Sequence, residues 1–217
     1  MKKLTKAIAL AGIVTGGLMG VQAAQAEVSA SASVATEYLW RGMTLGNGDA
    51  AVSGSLDYAH ESGLYAGTWV SSGDASSTEY DLYAGFAGEA GDFGYDLGYA
   101  TYLYPMADAD AIDESAEFYL GLSFKVASLY VYKSSDFDVD GLYAVLGADV
   151  SDSVSVALGA SMDQGNDYTH LDVTYAFNDQ IAFTVSQIVD QELEAGEEGF
   201  ADDNTKLVMS YTLPIDM

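Results

Sequence analysis

No cysteine occurs in the chain, which removes disulfide frameworks and thiol-based metal or nucleophile chemistry from its repertoire. Proline is scarce too, with two in 217 residues, although the chain carries many turn signals. Basic residues are few: seven Lys and Arg stand against 33 Asp and Glu. Lys2, Lys3 and Lys6 lie in the first six residues and no acid precedes Glu27, so residues 27–217 hold four cations against 33 acids, a net charge of −29. Such a surface excludes nucleic acid and anionic lipid patches as favoured partners. Heavy acidity often accompanies disorder, yet a 49% hydrophobic content with 16 tyrosines is far too apolar for that class. Long hydrophobic runs are also missing. After residue 26 no stretch approaches the length a membrane-crossing helix needs.

What is present begins with MKKLTKAIALAGIVTGGLMGVQAAQA. A basic head, an apolar run from Ala7 to Met19 and a small-residue site at Ala24-Gln25-Ala26 have the layout of a secretory signal peptide. The run is too short and too broken by glycine for a spanning helix. The expected organisation is a signal peptide over 1–26 and one domain over 27–217.

That domain reads as strands. In AEFYLGLSFKV, Phe118, Leu120, Leu122, Phe124 and Val126 alternate with Glu117, Tyr119, Gly121, Ser123 and Lys125, the period of two that places successive side chains on opposite faces. The same rhythm predicts twelve strands near 28–40, 51–60, 64–71, 78–88, 93–104, 116–126, 129–134, 141–150, 154–162, 168–177, 181–189 and 205–213. Most have the length at which a tilted strand crosses a bilayer. Connections alternate: long at 41–50, 72–77, 105–115, 135–140 and 190–204, moderate at 163–167, and short at every other junction. Transmembrane barrels show this asymmetry, with tight periplasmic turns and longer external loops.

One face of the strands is rich in Leu, Val and Phe. The other carries Gly, Ser and Tyr with scattered carboxylates and almost no lysine. A soluble exterior normally guards its strands with lysine and glutamate, so the apolar face is assigned to lipid and the polar face to a narrow lumen. Tyr38, Trp40, Tyr80, Phe93, Phe118, Tyr175 and Phe177 are expected to form interfacial girdles, and Tyr83, Tyr102 and Tyr119 to fill part of the lumen. The fold class is therefore all-β: a transmembrane antiparallel β-barrel of about 12 strands in the outer membrane, with its lipid as partner. A soluble two-sheet sandwich is the alternative.

From Thr36 to Val70 the chain reads TEYLWRGMTLGNGDAAVSGSLDYAHESGLYAGTWV. Centred on Tyr38-Leu39-Trp40-Arg41-Gly42 and on Ser62-Gly63-Leu64-Tyr65-Ala66-Gly67, it resembles the TorF-type porins, proteobacterial outer-membrane barrel proteins formerly described as uncharacterised. The resemblance is clearest from Val34 to about Tyr104. It implies a barrel with a channel role and supplies no site residue. Barrels of this kind commonly finish on a terminal aromatic, whereas this sequence reads Leu213-Pro214-Ile215-Asp216-Met217 after Tyr211-Thr212.

The candidate pore-lining residues follow from strand facing. Glu37 and Arg41 are expected on the inward face of the first strand, with Glu79, Asp81, Glu117, His170 and Asp172 in the same outer half. Asp57, Asp96 and Asp149 fall nearer the periplasmic end. Acid rings favour cations, so the function read here is passive diffusion of small polar or cationic solutes. Arg41, the one arginine, either faces a constriction or pairs with a carboxylate to hold the first loop. The alternatives are a non-conducting structural barrel and, less favoured, an outer-membrane enzyme. For catalysis only His60 and His170 offer an imidazole base, and no Gly-x-Ser-x-Gly motif occurs. Asp136-x-Asp138-x-Asp140-Gly141 copies half of a calcium loop, but Gly147 stands where the closing glutamate belongs. No cofactor or specific metal site is expected; loose divalent cations at the acidic loops remain a possible partner.

Overall fold

Alternating residues build a closed ring. The computed structural model describes residues 26–72, 78–105, 115–136, 141–162, 167–197 and 201–216. Twelve strands form an antiparallel barrel: β1 (Glu27–Ala35), β4 (Ala51–Ala59), β5 (Leu64–Ser71), β6 (Glu79–Ala90), β7 (Phe93–Leu103), β8 (Ala116–Phe124), β9 (Ala127–Ser134), β10 (Leu142–Ser151), β11 (Val154–Met162), β12 (Tyr168–Ala176), β13 (Ile181–Gln191) and β14 (Lys206–Asp216). Each pairs with its neighbour in sequence, and β1 closes the ring against β14 through Ser29↔Asp216 to Ala35↔Ser210. Two short strands, β2 (Tyr38–Trp40) and β3 (Met43–Leu45), stand apart as a hairpin of their own. Closure leaves no strand edge, which a bilayer requires because its hydrocarbon offers no partner to a free N–H or C=O.

The molecule is inverted relative to a water-soluble protein. Its fully buried large side chains include Tyr119, Tyr143, His170 and Glu79, whereas Leu97 is 58% exposed, Phe93 57% and Val185 42%. A continuous apolar belt of this extent is not a water-facing surface, so the barrel is transmembrane. Its rims carry ring pairs on the lipid side. Phe93–Phe124 (4.9 Å) and Phe86–Tyr95 (5.9 Å) lie toward the short turns, and Tyr99–Phe118 (5.1 Å) toward the long loops.

The strand rhythm expected from the sequence is present in all twelve barrel strands, with two differences. The first strand ends at Ala35 instead of Trp40, because the chain turns inward after Thr36. Tyr38, 5% exposed, is consequently inside the barrel and not in a girdle, and Trp40 moves with it. The last strand runs on to Asp216, with Pro214 paired to Ser31. Thr212 N–H donates to Gln180 O on the β13 side, so the ring nitrogen of Pro214 faces that side beyond the end of the β13–β14 ladder. Its missing donor therefore costs no ladder bond. The signal-peptide reading (residues 1–25), the acids at 108, 110, 113 and 114 and most of the calcium-like loop (137–140) lie outside the described residues.

Candidate functional site: the lumen and its inward hairpin

The hairpin β2–β3 is set by its turn. Arg41 and Gly42 have φ of +49° and +81°, the paired positive values of a two-residue type I′ connection. Glycine suits the second position, where His170 packs so closely that a Cβ would collide with its ring. Arginine at the first position is unusual, since a non-glycine residue in the left-handed region carries a backbone cost.

That turn delivers Arg41 into the lumen. Its Nη1 and Nη2 donate to Glu117 Oε1 and Oε2 at 3.0 and 2.6 Å, a bidentate fork. Tyr102 Oη donates to Glu117 Oε2 at 2.8 Å. The guanidinium carbon stands 4.4, 5.0 and 4.3 Å from the ring centres of Trp40, Tyr132 and Tyr143. A second anchor is Tyr38, whose hydroxyl donates to Glu79 Oε2 at 2.8 Å while its ring packs on Trp69 at 5.8 Å. Asp81, two residues on, is 2% exposed, and its Oδ1 has no hydrogen-bond partner among the described residues.

His170 continues the chain of contacts. Nε2 is 2.8 Å from Tyr143 Oη, Nδ1 is 3.2 Å from Asp172 Oδ1, and the imidazole stacks on Tyr143 with 4° between planes. Both ring nitrogens are thus engaged. Buried Ser155 Oγ and Ser186 Oγ have no hydrogen-bond partner among the described residues, so neither is held as a nucleophile against this histidine.

Toward the short turns two carboxylates are held by tyrosine. Tyr65 Oη donates to Asp96 Oδ1 at 2.6 Å and also meets Tyr119 Oη at 2.6 Å, and Tyr83 bonds Asp57. The rings lie across glycines of the neighbouring strand. Tyr83 faces Gly67, Tyr65 faces Gly85, Tyr119 faces Gly98 and Tyr130 faces Gly121, each the directly paired residue, and at none of them is there room for a Cβ. Glycine thereby lets each tyrosine lie flat along the wall.

Measured against the sequence reading, Arg41, Glu117, His170 and Asp172 come together in one network through Tyr143, with Glu79 and Asp81 beside the hairpin. Glu37 and Arg41 do not share a face of the first strand; both ride on the hairpin segment, where Glu37 accepts a hydrogen bond from Thr44 at 3.1 Å. Asp57 and Asp96 face inward nearer the short turns. Asp149 sits at the short-turn rim, exposed, beside a register shift between β10 and β11. Tyr102 and Tyr119 are buried in the lumen as expected, and Tyr83 is half-buried there.

Sequence reasoning had Tyr83 and Tyr102 in the lumen but not as the holders of Asp57 and Glu117, and it missed Tyr65 and the aromatic walls around Arg41. The available signal was Tyr and Gly on inward positions of adjacent strands. Lys206, 6% exposed, also faces inward, and its ammonium donates to the carbonyls of Asp202 and Asn204 near the long-loop rim, loop contacts that strand facing does not show. Among the described residues no group of three or more His, Asp or Glu is placed to hold a metal ion.

A family model described as a bacterial protein of unknown function (Gcw_chp) matches residues 21–208, and the chain belongs to that family. No curated protein matches the sequence at a significant level. Among solved structures, the chain is similar to a KdgM porin in complex with disordered oligogalacturonate (6% identity, TM-score 0.47), over 88% of this chain and 99% of that one. It is similar to the outer membrane phospholipase A of Escherichia coli (10% identity, TM-score 0.43; 88% and 90% covered). It is also similar to an outer membrane channel from Pseudomonas putida F1 (13% identity, TM-score 0.40; 88% and 96% covered).

Proposed function

We propose that this member of a family without an assigned function is an outer-membrane, porin-like channel for passive diffusion of small polar solutes, with a preference for cations. The observation that carries the reading is the distribution of inward charge. The two inward cations, Arg41 and Lys206, are both on the long-loop side and both engaged. Between Arg41 and the short turns the lumen presents Asp57, Asp96 and Asp172, acids whose partners are neutral hydroxyls and an imidazole. Fixed negative charge in a low-dielectric tube attracts cations and repels anions. Pore lining by Glu37, Glu79, Asp81, Glu117 and His170 belongs to the same proposal, as does periplasm-facing placement of the short turns. The resemblance to TorF-type porins agrees with it. Loose divalent cations would gather at the acidic long loops by charge alone.

Conductance of the refolded protein in planar bilayers tests the reading. Cation-selective unitary currents are expected; anion selectivity would overturn it. The inward hairpin favours a second reading, a barrel closed at rest. Silence from the wild type together with currents from a variant lacking residues 37–45 would establish that reading, and silence from both would leave a structural barrel.

A further inference from the structure

The surroundings of Arg41 resemble a binding site more than a structural ion pair. Four of its walls belong to the barrel: the Glu117 carboxylate on β8, the Tyr102 hydroxyl on β7, and the rings of Tyr132 on β9 and Tyr143 on β10. These strands are each hydrogen-bonded to a barrel strand on both sides, so the walls belong to the barrel and not to the hairpin. Arg41 and the closing Trp40 ring come from elsewhere, on a hairpin that among the described residues makes no backbone hydrogen bond to β8, β9 or β10. The guest is thus on the separate hairpin and the host on the barrel wall.

The host's chemistry names its guest. A carboxylate presenting both oxygens to two parallel N–H groups matches the planar fork of a guanidinium. Aromatic faces 4.3 to 5.0 Å from the guanidinium carbon match its delocalised charge. The hydroxyl of Tyr102 steadies Glu117 in the required orientation. A compact ammonium would meet the same charge but use one oxygen and no plane. The backbone agrees: Arg41 stands at φ +49° in a turn where Asn, Asp or Gly would relax the strain.

We propose that Glu117, Tyr102, Tyr132 and Tyr143 form a lumenal binding site for solutes bearing a guanidinium group, and that Arg41 is its tethered resident, displaced when such a solute enters. The site deepens the channel reading by naming a solute class, yet binding to it does not require conduction.

The test uses methylguanidinium as probe, with tetramethylammonium and urea as controls for charge without a fork and a plane without charge. Full-length mature protein, Arg41→Ala and Arg41→Ala/Glu117→Gln are refolded in detergent, and folding is checked by the gel shift between boiled and unboiled samples. Calorimetry is expected to show saturable millimolar binding of methylguanidinium to Arg41→Ala, at least tenfold weaker binding to the wild type, whose own arginine competes, and none to the double variant. Tetramethylammonium is expected to bind Arg41→Ala at least tenfold more weakly than methylguanidinium, and urea not at all. No saturable binding to folded Arg41→Ala, equal affinity for tetramethylammonium, or persistence of binding in the double variant overturns the proposal. If Arg41→Ala does not fold, Arg41→Lys replaces it: methylguanidinium is expected to displace the lysine and shift Trp40 emission saturably, and an unchanged spectrum overturns the proposal. Saturable binding by a barrel silent in bilayers would defeat the channel reading and leave this one standing.

Discussion

The two halves of the barrel wall solve one problem, filling a lumen, with different side chains. From β5 to β10 the inward positions carry Tyr65, Tyr83, Tyr102, Tyr119, Tyr130, Tyr132 and Tyr143 together with Glu79, Asp81, Asp96 and Glu117. From β11 through β14 to β1 and β4 they carry mainly small residues: Ser155, Ala157, Thr174, Thr184, Ser186, Ser210, Thr212, Ser31, Ser33, Ser53 and Ser55. Some of these hydroxyls satisfy one another across strands, as in Thr174–Thr184 and Ser33–Thr212, each at 2.9 Å. Tyrosines instead reach over neighbouring strands to hold carboxylates. The first is therefore a charged wall whose acids sit among tyrosines, while the second sets Asp57, Asp172, His170 and Lys206 among small residues. The hairpin leans on the charged wall through Tyr38–Glu79 and Arg41–Glu117.

The strongest way to break this comparison is to remove the glycine beneath a tyrosine. Gly98→Val is expected to collide with the ring of Tyr119, to disrupt its contact with Tyr65 and to cost about 3 kcal/mol of stability, as overpacking a close-fitted interior does. Urea unfolding in detergent, read by the heat-dependent gel shift, checks it. A midpoint equal to that of the wild type would mean that the rings do not lie where the charged wall needs them.

Next in size is Glu117→Gln. Removing one member of a buried pair leaves the other charged and poorly satisfied, worth about 3 kcal/mol before relaxation. Here relaxation is available, because the hairpin can leave the lumen while the barrel stays closed. The expected outcome is a red shift of Trp40 emission and a higher unitary conductance, with little change in the unfolding midpoint. Unchanged emission and conductance would show that Arg41 does not anchor the hairpin.

How much of this was legible beforehand divides along the same line. Strand number and the facing of most strands were readable because lipid on one side and lumen on the other impose a strict period of two, visible in Phe118 to Val126. The hairpin was not. Tyr38-Leu39-Trp40 continues the alternation of the strand before it, so the rhythm carried straight through the bend after Thr36. Arginine in place of Asn or Asp before Gly42 also concealed the turn signature. The acids were read onto the lumen side from strand facing, but their tyrosine partners come from other strands, as with Tyr65 and Asp96, and a single strand's pattern cannot pair them. Pro214 read as the end of a strand because proline usually is one, and only the short reach of β13 allows it to continue.

Asp96→Asn sharpens the comparison without disturbing the wall. The amide oxygen can still accept from Tyr65, so the structure is retained and one fixed charge is lost. At about 10 Å and an effective dielectric near 20, a unit charge is worth roughly 1–2 kcal/mol to a passing ion. The cation-to-anion permeability ratio, taken from reversal potentials under a salt gradient, is expected to fall several-fold. An unchanged ratio would detach selectivity from the tyrosine-held acids.

The smallest effect belongs to the other wall. Thr184→Val keeps volume and β-branching but deletes one hydroxyl of the buried Thr174–Thr184 pair, which leaves Thr174 without that partner. The cost is expected to be about 1 kcal/mol, seen as a modest drop in the unfolding midpoint with selectivity and conductance equal to wild type. Because the small-residue wall holds the tube together and contributes no charge at this point, its loss should register in stability alone. A change in ion selectivity on Thr184→Val would mean that permeating ions are coordinated by these hydroxyls, and the division of the lumen into a charged wall and a structural wall would no longer describe how it works.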